Sequence, residues 1–151
     1  MNLITPLLQP GNVLVDVETT SKKRLFEQVG LLFQAGHDVV AGEVFDSLFS
    51  REKLGSTALG YGIAIPHGRI KHLKETARAF FRLKQPTDFD APDGQPVDLV
   101  FILLAPAAAT DIHLQILGEL AAMFSDESFR ARLRGAADAA TLHRLITEWT
   151  P

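Results

Sequence analysis

His67 is the residue of this chain best placed for chemistry. It leaves the apolar run Ile63-Ala64-Ile65 through Pro66, and Gly68 follows it at once. The run predicts a short buried strand. The proline ring keeps Ile65 extended by clashing with a helical residue before it. Gly68 removes side-chain bulk, so a ligand or a partner's backbone is expected to come close there. The histidine is thus expected at a strand end, displayed by a rigid turn. Upstream stand two hydroxyls, Ser56 and Thr57, and the glycines Gly55, Gly60 and Gly62; Arg51 and Arg69 add fixed positive charge. An imidazole among N–H groups, hydroxyls and guanidinium ions suits an oxyanion, phosphate most of all.

Phosphoryl relay through histidine makes definite demands. One imidazole nitrogen must keep its lone pair as nucleophile, and the other must be held so that the tautomer is fixed. The product gains roughly two negative charges, which nearby donors must meet. Charge-assisted hydrogen bonds contribute ~1.5–3 kcal/mol each, so one arginine and a few lighter donors suffice. A metal site built from His67, His72 and His113 is the competing chemistry. No His-Glu-x-x-His motif supports it, and a metal would occupy the lone pair that phosphate needs.

The chain has no cysteine, which removes disulfides, thiolate nucleophiles and thiolate metal sites. A formal net charge of −3 gives no general pull toward nucleic acid or an anionic membrane. No apolar run nears the ~20 residues of a membrane span, and the start of the chain lacks a charged-then-apolar leader. A cytoplasmic protein is expected. At 151 residues the chain suits one domain, 1–151, with a sizeable core.

The elements follow from periodicity. Val13-Leu14-Val15 is a short strand or extended lead-in. A helix starts near Thr20 with Thr20 or Ser21 as cap, carries Leu25, Val29 and Leu32, and ends at Gly36. Lys22-Lys23-Arg24 is its solvated first turn. A second helix is expected from Val39 to Ser50, capped by Asp38, with Val44, Phe45, Leu48 and Phe49 inward. Thr76 to Leu83 alternates as a half-buried strand. Asp93-Gly94 marks a turn, and Val97 to Leu104 a strand buried on both faces. Helices follow at Asp111–Phe124, Asp126–Leu133 and Asp138–Trp149. His37, His72 and His143 are expected on the surface, as is Glu52 in a salt bridge. The sum is one α/β domain, a small mixed sheet flanked by helices.

Arg51-Glu52-x-x-Gly55-Ser56-Thr57-x-x-Gly60-x-Gly62-x-Ala64-Ile65-Pro66-His67-Gly68 resembles the active-site signature of phosphotransferase-system IIA domains of the fructose/mannitol type. The likeness is greatest to the nitrogen-regulatory members, around Gly62 to Ile70, and extends over nearly the whole chain. Tyr61 stands where many relatives carry a polar residue. The resemblance implies that His67 is the phosphorylated nucleophile, through Nε2, and that His113 orients it or contacts its phosphate; a core histidine at a helix start is the alternative. It implies that Arg51 stabilises the phosphate, against a plain helix C-terminal cation, and that Ser56 and Thr57 contact phosphate or imidazole, against simple turn formers. The implied donor is an HPr-like phosphocarrier. The implied outlets are regulatory protein targets or, in the sugar-transport alternative, the cysteine of a IIB domain. No cofactor or metal is implied. Ile65, Tyr61 and Ile70 are expected to form an apolar docking ground around His67.

Overall fold

Val97–Pro106 forms β6, the strand on which the sheet is assembled, and its residues from Leu99 to Ala105 are wholly buried. The protein is seen here in a computed structural model that describes residues 8–108 and 111–150, the side chains of 111–113 excepted. Before β6 come β1 (Val13–Val17), α1 (Lys22–Gly36), α2 (Ala41–Lys53), β2 (Ala58–Gly60), β3 (Ile63–Ala64), β4 (His67–Ile70) and β5 (Ala77–Thr87). After it come α3 (Asp111–Ser125), α4 (Glu127–Gly135) and α5 (Ala139–Glu148). The sheet runs β1-β5-β6-β3-β2, with β4 also on β6. Pairing is mixed: β5 is antiparallel to β6, whereas β3 and β4 lie parallel to it.

Both faces of the sheet are covered, giving three layers. Val100, Ile102 and Leu104 pack with Leu25, Phe26 and Val29 of α1 and Val44 and Leu48 of α2. Leu99, Phe101 and Leu103 pack on the other side with α3, α4 and α5. There Phe80 stacks on Phe124 with ring centres 6.2 Å apart. Each large apolar side chain so buried stabilises the fold by about 1.5–3 kcal/mol. This layering explains why β5 is not half-buried as its alternation predicts. A strand between two helical layers has no solvent side, so Arg78 is 4% exposed, and burial pushes its guanidinium down to about 10 while Glu119 pulls it back up.

The Ser21 hydroxyl caps α1 by accepting from the Arg24 N–H. Helix α2 departs from expectation at both ends. Asp38 does not cap it; the side-chain oxygen of Gln34 on α1 accepts from the Ala41 N–H at 2.8 Å instead. At the far end α2 continues to Lys53, carrying Arg51 and Glu52 inside its last turn. Strand β5 also runs past Pro86. Its partner β1 ends at Val17 opposite Leu83, and its register on β6 is irregular between Arg82 and Thr87, so Pro86 falls where the ladder is interrupted.

Candidate functional site

Strands β3 and β4 hold one register on β6: Ile63 faces Leu99, Ala64 faces Val100 and His67 faces Leu103. They are a single strand interrupted at Ile65-Pro66, with no residue gained or lost. Pro66 offers no N–H, while its carbonyl still accepts from Leu103. His67 therefore opens β4 rather than leaving a strand end, which corrects the sequence expectation. At the interruption the Ile65 carbonyl accepts from His67 Nδ1 at 2.7 Å. A carbonyl cannot donate, so Nδ1 carries the proton and Nε2 carries the lone pair.

His67 is half-buried. Burial is the main reason its pKa lies below the ordinary value, and the Arg51 charge pushes the same way. The bond to Ile65 and the Glu52 carboxylate oppose both. At neutral pH the ring is an uncharged imidazole of fixed tautomer, the form a nucleophile needs.

The cleft beside it measures ≈ 390 Å³ and is lined by Ser47, Ser50, Arg51, Leu54, His67, Gly68, Arg69, Leu114 and Leu117. Helix α2 supplies Arg51, whose guanidinium donates to the Gly55 carbonyl at 2.8 Å and so closes the turn after the helix. Gly68 lines the cleft and is also required by packing. A β-carbon there would run into the Ser47 hydroxyl, which itself donates to the Arg69 carbonyl. Helix α3 brings Leu114 and Leu117 to the same cleft. His113 lies one turn before Leu117 on that helix, but its side chain is outside the described residues.

Ser56 and Thr57 are engaged elsewhere. The Ser56 hydroxyl donates to the Phe89 carbonyl at 2.6 Å and accepts from the Ala58 N–H. The buried Thr57 hydroxyl donates to Glu52 at 2.6 Å. Glu52 is no surface residue: it is 6% exposed and accepts from the Thr57 N–H, the Thr57 hydroxyl and the Lys22 ammonium. Lys22 is correspondingly not a solvated charge. Burial alone would lower its pKa, but Asp90 and Glu52 hold it above the ordinary lysine value. A sequence signal for Glu52 existed, because Val44, Leu48 and Glu52 share the buried stripe of α2 at four-residue spacing.

The apolar surround also differs from expectation. Ile65 and Ile70 are each 4% exposed and belong to the core. Tyr61 is exposed but sits at the β2–β3 turn, with φ of 58° beside Gly62 at 80°. Its N–H bonds Asp93 and its carbonyl bonds Arg134, while its ring lies 4.3 Å from the Arg130 guanidinium. Arg134 also grips Asp98 near the start of β6. Leu103, opposite His67, is five residues further along, about 16 Å at strand rise. The exposed apolar side chains on the His67 cleft are Leu54 and Leu114 instead.

Among the other histidines, His72 is exposed, whereas His143 is half-buried and bonds the Leu8 carbonyl at 2.8 Å. Among the described residues no group of three or more metal-binding side chains is placed to hold an ion. Nor is any described helix long and apolar enough to cross a membrane.

The sequence and the fold both have relatives among known proteins. A curated "Nitrogen regulatory protein" of Pseudomonas aeruginosa is 45% identical over 143 residues, covering 94% of this chain and 93% of its own. The crystal structure of the nitrogen regulatory protein IIA-Ntr from Neisseria meningitidis superposes with a TM-score of 0.93 at 46% identity, covering 97% of this chain and 100% of that one. The IIA-mannitol enzyme of Escherichia coli, solved in complex with phosphorylated IIB-mannitol, shares the fold with a TM-score of 0.76 at 22% identity, covering 95% of this chain and 100% of that one. Residues 6–149 match the family model described as "Phosphoenolpyruvate-dependent sugar phosphotransferase system, EIIA 2", and the chain belongs to that family.

Proposed function

We propose that this chain is a phosphohistidine carrier that acts as a phosphorylation-dependent regulator. The carrying observation is the 2.7 Å bond from His67 Nδ1 to the Ile65 carbonyl, which leaves the lone pair on Nε2. That lone pair attacks the phosphorus of a phosphohistidine on an HPr-like donor. The new N–P bond forms in line as the donor's N–P bond breaks, and its electron pair returns to the donor imidazole. The donor phosphohistidine, protonated on its other ring nitrogen, leaves as a neutral imidazole, and His67, keeping its Nδ1 proton, carries the phosphoryl group on Nε2.

Arg51, whose charge already acts on the His67 ring, meets the developing negative charge. His113 orients the ring or contacts the phosphate from the first turn of α3. Ser56 and Thr57 serve the phosphate through the turn that they hold. Leu54 and Leu114 form the apolar rim against which the donor packs. The whole chain works as one cytoplasmic unit and needs no cofactor of its own.

The regulatory reading is favoured over sugar transport by the 45% identity to a nitrogen regulatory protein across nearly the full length. Labelled phosphoenolpyruvate with an enzyme I and an HPr-like carrier is expected to add one phosphate, lost in His67→Ala. A pull-down with phosphorylated and unphosphorylated bait is then expected to retain different proteins. Rapid discharge onto the cysteine of a fructose- or mannitol-type IIB domain, with no state-dependent partner, would place the chain in transport instead.

A further inference from the structure

We propose that Glu52 is a positioning residue for His67, acting through Thr57 and Ile65. The inference rests on the carrier reading for its purpose, though its geometry stands apart from it. Glu52 is a charged side chain only 6% exposed, and a buried carboxylate is costly unless its oxygens are matched by donors. Here three donors match it. Lys22 approaches Oε2 at 3.3 Å, the Thr57 N–H lies 3.1 Å from the same oxygen, and the Thr57 hydroxyl lies 2.6 Å from Oε1.

These bonds fix Thr57 by both its backbone and its side chain. The Thr57 carbonyl then accepts from the Ile65 N–H at 3.0 Å, and the Ile65 carbonyl accepts from His67 Nδ1 at 2.7 Å. The path from carboxylate to imidazole is continuous. Pro66 has no N–H to donate, although its carbonyl still accepts from Leu103, so the Ile65 N–H is the last donor along the backbone before His67. If Thr57 shifts, the Ile65 carbonyl leaves the Nδ1–H axis and the tautomer is released.

Arg51 and Glu52, neighbours in the last turn of α2, therefore hold one loop from two sides. Arg51 grips the Gly55 carbonyl and Glu52 grips Thr57. A carboxylate that merely stabilised the end of α2 would have no effect on which ring nitrogen of His67 is protonated. That difference is measurable.

The test is the nitrogen-15 NMR spectrum of the His67 ring at neutral pH, recorded beside phosphoryl transfer from an HPr-like donor. In Glu52→Ala the Nδ1–H form is expected to lose its dominance, and transfer to slow by about 10- to 100-fold, the cost of misplacing a reacting group by an ångström. Glu52→Gln keeps the shape but turns an N–H₂ toward donors, and a smaller shift in the same direction is expected. Should Glu52→Ala not fold, Glu52→Gln decides. A folded Glu52 variant with an unchanged tautomer and transfer rate would overturn the proposal. If the tautomer shifts but even the unaltered protein accepts no phosphate, the carrier reading fails and the positioning role stands.

Discussion

His67 Nδ1 and the Ile65 carbonyl oxygen lie 2.7 Å apart across a single proline, and the bond between them sets the protonation of the whole ring. Because burial also holds the His67 pKa below its ordinary 6.5, the neutral form persists into mildly acidic solution. Phosphoryl transfer is therefore expected to fall on acidification with a midpoint below 6.5. A proton NMR titration of the ring checks this; a midpoint above 6.5 would contradict it.

The same shift has a consequence for stability. In the unfolded chain the imidazole takes its proton near 6.5, whereas the folded protein resists it. Between those two pKa values the unfolded state binds more protons, so stability rises with pH there. The His67 contribution is present above pH 6.5 and is lost as the pH falls toward and through the folded value. The melting temperature of the protein relative to that of His67→Asn is expected to fall as the pH is lowered across that window.

Arg51→Ala removes the guanidinium proposed to meet the phosphate. Losing one charge-assisted hydrogen bond of ~1.5–3 kcal/mol predicts transfer slower by about 10- to 100-fold. Arg51 also closes the turn through Gly55, so a small drop in melting temperature is expected. Stopped-flow transfer kinetics measure the first effect and calorimetry the second. Transfer at the normal rate would assign Arg51 to the turn alone.

Gly68→Ala tests the packing of α2 on β4. The added methyl meets the Ser47 hydroxyl, and overpacking of this kind costs about 1–3 kcal/mol. Ser47→Gly in the same chain is expected to recover most of that loss. Chemical denaturation of the single and double variants checks the coupling; additive losses would mean that the clash is relieved elsewhere.

Much of this was legible in the sequence. Val97 to Leu104 announced a strand buried on both faces, Ser21 is one of the two caps expected for α1, and the helices expected from Asp126 and Asp138 start one residue after them, with those aspartates as caps. His67 stood out because proline and glycine bracket it. What escaped reading depends on contacts between distant residues. Gln34 replaces Asp38 as the cap of α2 because α1 turns back against it. Glu52 looked like a surface charge because its partners, Lys22 and Thr57, are assembled only by the fold. Tyr61 is near His67 in sequence but lies toward the other end of β6, since β3 and β4 run on along that strand.

The proposed phosphorylation of His67 would put roughly two negative charges on a cleft rimmed by Leu54 and Leu114. A target that buries this rim loses affinity through desolvation alone, and ~1.4 kcal/mol already changes binding tenfold. His67→Asp is expected to mimic the state partly, with one charge in place of two. Leu54→Glu is expected to weaken donor docking without lowering the melting temperature. Amide shifts along α5 that move as much on phosphorylation as those of 62–68 would instead indicate a global change.

The most direct measurement is phosphorus–nitrogen NMR on protein carrying nitrogen-15 histidine, charged by an enzyme I, an HPr-like carrier and phosphoenolpyruvate. The account predicts one acid-labile phosphate coupled to Nε2 of His67, with Nδ1–H still bonded to Ile65. Phosphate on Nδ1, on another residue, or in an acid-stable linkage would contradict it.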